Sequence, residues 1–127
     1  MGNTRDEIIF IEKKSAEAFN QKNIQAILEY FDNAIFGFSS TRHDRFSGKE
    51  DLRETFEYYL SEGEEVKYEI KDINVVEYDN IAIATFYWRV TIKSGSKVTE
   101  IPGRGSHVYR RINGEWRIVH EHFSRAH

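Results

Sequence analysis

Cysteine is missing from this 127-residue chain, and proline and methionine occur once each. Without cysteine there is no disulfide framework, no thiolate nucleophile and no thiolate metal ligand. No apolar run reaches the ~18 residues that a membrane-spanning helix requires. Met1–Asp6 is too polar to begin a secretory leader, so a cytoplasmic protein without membrane contact is expected. Nor is there a basic block: 18 basic against 21 acidic residues give a net charge of −3. That balance exerts no general pull on nucleic acid. Walker, dinucleotide-binding, nucleophile-elbow and Ser-x-x-Lys motifs are all lacking, and no cofactor is expected.

What remains is a soluble composition, 39% hydrophobic and 31% charged, with nine Phe, seven Tyr and two Trp. The length suits one domain over residues 1–127, large enough to bury a core unaided. Thr4 with Glu7 reads as a capping box, opening a helix to about Asn20 whose inner stripe is Ile8, Ile11, Ser15, Ala18 and Phe19. Asn23 caps a second, shorter helix with Ile24, Ile27, Leu28 and Phe31 on its buried side, closed by Asp32-Asn33. A short strand follows over Ala34–Ser39, then a polar loop. Ser47 with Glu50 predicts a third helix to about Ser61, with Leu52, Phe56, Tyr59 and Leu60 inward.

From Val66 the apolar period drops from 3.6 to 2. Val66–Glu77, Ile81–Lys93, Lys97–Arg111 and Glu115–Ser124 read as four long strands joined by short turns, hence antiparallel. Asn113-Gly114 is the strongest hairpin signal. Pro102, with Gly103 and Gly105, predicts a bulge and a sharp bend in the third strand. Helices first and a bent meander after them make an α+β arrangement.

Alternation gives the sheet two faces. One carries Phe86, Trp88, Val90 and Ile92, then Ser106, Val108 and Arg110, then Trp116, Ile118, His120 and His122. The other carries Tyr87, Arg89 and Thr91, then His107, Tyr109 and Arg111, then Glu121 and Phe123. Apolarity favours burying the first list. The second, with its mixture of rings and polar groups, suits a concave pocket wall, which would leave the first for a subunit interface. Periodicity does not choose between them.

The segment Val108–Ser124, with Gly114-x-Trp116-x-x-x-His120-x-His122-x-Ser124, resembles the closing hairpin of the nuclear transport factor 2-like superfamily. Within it, the pattern is most similar to SnoaL-like proteins and to the association (hub) domain of calcium/calmodulin-dependent protein kinase II. Asn20–Phe36 resembles the family's lead-in of small helix, Asp and strand. The resemblance implies a cystatin-like cone, N-terminal helices on a curved antiparallel sheet, with a pocket between them and homo-oligomers formed through the sheet. One pocket arginine of the hub falls on Arg89, whereas two other basic positions fall on His107 and Phe123.

These readings name His107 and Glu121 as candidate acid and base, because an imidazole and an inward carboxylate can exchange a proton with a bound molecule. Arg89, Tyr87, Tyr109 and Phe123 are the candidate ligand-binding residues, Arg89 orienting an organic and anionic ligand. Trp88, Trp116, His120 and His122 are expected at a subunit interface. The two histidines lack a third ligand for a metal. Three functions stay open: proton-transfer chemistry of the isomerase, cyclase or dehydratase type on a small organic molecule, a non-enzymatic hub, or a stress-linked or ligand-sequestering protein without turnover.

Overall fold

The computed structural model describes residues 3–125. Helices α1 (Thr4–Asn20) and α2 (Ile24–Leu28) come first, then strands β1 (Phe31–Phe38) and β2 (Phe46–Ser47) and helix α3 (Lys49–Leu60). Four long strands complete the chain: β3 (Glu65–Tyr78), β4 (Ile81–Ser94), β5 (Lys97–Ile112) and β6 (Glu115–Arg125). They form one sheet in the order β2-β1-β6-β5-β4-β3, with the helices against one face. The meander is antiparallel as expected, but β1 pairs with β6 in parallel. Phe31 belongs to β1 rather than to the second helix, and it is buried nonetheless.

Local signals placed the helix starts to within a residue or two and misjudged their chemistry. Asn3, not Thr4, caps α1, its side chain accepting from the Asp6 amide at 2.8 Å. Thr4 instead donates to Glu77 on β3 at 2.7 Å, tying the helix start to the sheet. At α3 the cap is Gly48 without a side-chain bond, and the Asp51 carboxylate accepts from the Ser47 amide at 2.9 Å. Asn23 caps α2 as read, accepting from Ala26.

Three two-residue turns fix which residues meet across the meander. Ser94 pairs with Lys97, so even-numbered residues of β4 share a face with odd-numbered residues of β5: Trp88 opposes Gly103, and Ala84 opposes His107. This register runs unbroken past Pro102, which pairs with Arg89, and the expected bulge is not there. Pro102 lies one position beyond the last residue of β5 that pairs with β6 among the described residues, an open edge that tolerates a residue without an amide proton. The bulges sit elsewhere, in β3 between Lys71 and Asn74, and in β6 at Val119.

Gly103 and Gly105 serve contact rather than bending. A Cβ on Gly103 would come 2.1 Å from Trp88 Cζ2, and one on Gly105 would come 2.7 Å from Phe86 Cε2. The bare backbone of β5 thus gives room for two rings on the inner face of β4. Phe123 of β6 stacks on Trp88 from the other side, centroids 5.7 Å apart at 19°.

Candidate functional site

The centre of the fold contains charge. Glu12 lies one turn after Ile8 on α1 and faces the sheet, and its residue exposure is 2%. His107 on β5 and Glu121 on β6 lie opposite one another, each 3% exposed. His107 Nδ1 is 2.6 Å from Glu12 Oε2, and its Nε2 is 2.7 Å from Glu121 Oε1. Tyr109, two residues along β5 on the same face, donates its hydroxyl to Glu12 Oε2 at 2.7 Å. One imidazole is therefore held between two carboxylates, one of which also receives a phenol.

Burial opposes a charge on the imidazole. The neighbouring Glu12 charge and hydrogen bond, reinforced by Glu121, outweigh burial and raise the His107 pKa to about 10. His107 is consequently an imidazolium at neutral pH, with both N–H groups donating. Burial, aided by the Glu12 charge, also pushes the phenols of Tyr68 and Tyr109 well above their ordinary value.

The cluster forms one wall of a cavity of about 50 Å³ between the helices and the sheet. Seven aromatic side chains supply most of the rest, Phe19 and Phe56 from the helical side and Trp88 and Phe123 from the sheet among them. The rings of Phe31, Phe86 and Phe123 lie 5.3–5.7 Å from the His107 ring. Ser15 Oγ and Trp88 Nε1, on residues that line the cavity, are buried without a hydrogen-bond partner. A donor-only indole N–H left unmatched in an apolar wall is a cost that an incoming acceptor removes.

The sequence-derived site is thus divided between the two faces. His107, Glu121, Tyr109 and Phe123 meet on the inner face. Tyr87 and Arg89 do not: parity places them on the outer face with Arg104, where Tyr87 is 52% exposed. Trp88, expected at an interface, lines the cavity instead. Trp116 is also buried within the chain, beneath the Arg111 guanidinium at 4.5 Å. His120 and His122 do lie on the outer face, beside Phe36 at 4.8 Å and Phe38 at 5.4 Å. Glu12 went unrecognised. Its signal was a carboxylate four residues after Ile8, inside an otherwise apolar stripe.

The β6 bulge explains the mixed outcome. From the Asn113-Gly114 turn, Trp116 pairs with Arg111 and Ile118 with Tyr109, but beyond Val119 the pairing shifts so that His120 opposes Val108 and Glu121 opposes His107. One additional residue moves Glu121 and Phe123 to the face of Trp116 and Ile118. Among the described residues, no helix is long and apolar enough to cross a membrane.

Comparison with known proteins agrees with this architecture. The crystal structure of the CaMKII hub of S. rosetta superposes with a TM-score of 0.85 at 16% identity, covering 99% of each chain. An NTF2-like protein of unknown function from Pseudomonas putida KT2440 gives 0.80 at 23% identity, over 94% of this chain and 84% of that one. An NTF2-like superfamily protein of Salmonella enterica serovar Typhimurium gives 0.81 at 21%, over 97% and 91%. At these identities the likeness is one of fold. No curated protein sequence matches the chain significantly. The family model of the SnoaL-like domain matches residues 12–127, from the buried Glu12 to the last residue, and the chain therefore belongs to the SnoaL-like domain family.

Proposed function

We propose that the chain binds a small organic molecule in the aromatic cavity and moves a proton to or from it through Glu12, His107 and Glu121. The observation that carries this reading is the placement of three ionisable groups, none more than 3% exposed, on the wall of that cavity. Apolar residues of similar volume would hold such a core at least as well, so a buried charged cluster is poorly explained by stability alone. In the proposed step a carboxylate oxygen takes the proton from the ligand. The imidazolium, hydrogen-bonded to both carboxylates, steadies the charge that moves. No arginine is needed for this, consistent with Arg89 lying outside.

The two tryptophans make the test specific. Trp88 lines the cavity and Trp116 does not, so a molecule bound there should shift the Trp88 indole N–H resonance and leave that of Trp116 in place. Screening a panel of small organic molecules by this signal identifies binders. Exchange of a bound ligand's C–H with deuterated water should then fall by about 10²-fold or more in Glu121→Gln and stay unchanged in Arg89→Ala. Binders that move Trp116 alone, or exchange that survives Glu121→Gln, would refute the reading.

A second reading, self-association through the outer sheet face, is favoured by a separate observation. Phe36, Phe38, Val76 and Tyr87 are all exposed there, Phe36 at 47%. Large apolar side chains left exposed on one face of a sheet are a common mark of an interface. Sedimentation should show an oligomer for the unmodified chain and a monomer for Phe36→Glu; an oligomer unaffected by that charge would exclude this face.

A further inference from the structure

The cavity's charge and its unused acceptors define the kind of molecule it can hold. Two carboxyl groups, Glu12 and Glu121, flank the single imidazole of His107, so the cluster holds one acidic group more than it holds basic ones. Among the described residues no lysine or arginine lines the cavity to balance it. Both hydrogen bonds to Glu12 arrive at Oε2, and the one to Glu121 arrives at Oε1. Among the described residues nothing donates to Glu12 Oε1 or Glu121 Oε2.

The remaining walls suit the same kind of guest. Aromatic faces are electron-rich and attract an organic cation when water is excluded. An acidic cluster alone would say little, but the cavity it faces is also lined by Trp88, whose indole N–H is buried and, among the described residues, unpartnered. That donor calls for an acceptor on the same guest. The volume, about 50 Å³, leaves room for roughly three or four water-sized groups.

The geometry points to a small protonated amine that also carries one acceptor, of the amino-alcohol kind, as the ligand class of this cavity. Its ammonium group would donate to the free oxygens of Glu12 and Glu121, and its oxygen would accept from Trp88. This rests on the cavity being a binding site, as proposed above, and reverses the sign of the ligand that a pocket arginine would have implied.

Three molecules of nearly equal size separate charge from shape: ethanolamine, ethylene glycol and glycolate, cationic, neutral and anionic at pH 7. Calorimetry together with the Trp88 indole resonance should show ethanolamine binding at least about tenfold more tightly than ethylene glycol, with no binding of glycolate. Glu121→Gln should abolish that preference while Arg89→Ala retains it. If ethylene glycol or glycolate moves Trp88 as readily as ethanolamine, the charge assignment is overturned and the cavity remains a binding site. If none of the three moves Trp88 while other molecules of the panel do, the amine class is again overturned. Failure of every molecule tested would remove both readings together. The comparison within the unmodified protein decides the matter even where a variant does not fold.

Discussion

Replacing His107 with alanine is expected to lower the unfolding free energy by about 3–5 kcal/mol, because it leaves two buried carboxylates facing one another with no cation between them. Among the described residues, Glu12 would keep only the Tyr109 hydroxyl, and Glu121 would lose its one side-chain donor. The companion experiment replaces all three residues, Glu12, His107 and Glu121, with leucine. That variant should be near the stability of the unmodified protein or above it, since removing a buried charge network entirely is commonly neutral or favourable whereas breaking it is not. Urea denaturation measures both. A His107→Ala protein within about 1 kcal/mol of the original would mean that the cluster is not charged as described.

Alkaline pH should weaken the fold, beginning close to neutrality. An unfolded histidine titrates near 6.5, whereas folded His107 holds its proton up to about 10. Between these values the folded chain binds more protons than the unfolded one, so stability must decline as pH rises. The contribution of His107 is complete below about pH 6.5 and is gone above about pH 10. Its full extent is on the order of 5 kcal/mol, with a limiting slope of about 1.4 kcal/mol per pH unit. Burial and the nearby carboxylate charge keep the Tyr68 and Tyr109 phenols protonated across that window, so they do not obscure it. Denaturation midpoints followed across this range should fall in the unmodified chain and stay nearly level in the triple-leucine variant. A flat profile in both would exclude a charged His107.

Much of the architecture was legible because it depends on local chemistry. The change of period after Val66, the polar stop at Ser61–Glu65 and the Asn113-Gly114 turn each act within a few residues, and each lies where the sequence placed it. The site was legible only in part because it depends on agreement between strands. Listing alternate residues of β4 and β5 gives four faces, and joining Tyr87 and Arg89 to His107 was the wrong choice of pair. The correct choice was present in Ser94-Gly95-Ser96-Lys97: a two-residue turn makes opposed residue numbers sum to an odd value, which sets Trp88 and Ala84, not Arg89, on the face of His107. The Val119 bulge had no comparable sign, since Val119 is an ordinary strand residue. Glu12 was hidden by the habit of reading only apolar residues as buried. A carboxylate on an inward helical stripe needs partners, and His107 and Tyr109, 95 and 97 residues away, are invisible to any local window.

That one extra residue in β6 makes the chemistry of the core a matter of counting. Were Val119 taken into the ladder, so that the hairpin paired regularly to its end, the partner of His107 would become His120, and the acid now inside would face outward. A one-place slip in the pairing would thus exchange a carboxylate for a second imidazole at the heart of the protein while every strand and turn stayed in place. Relatives that keep this shape but differ in their reactions could have diverged by such slips as readily as by substitution.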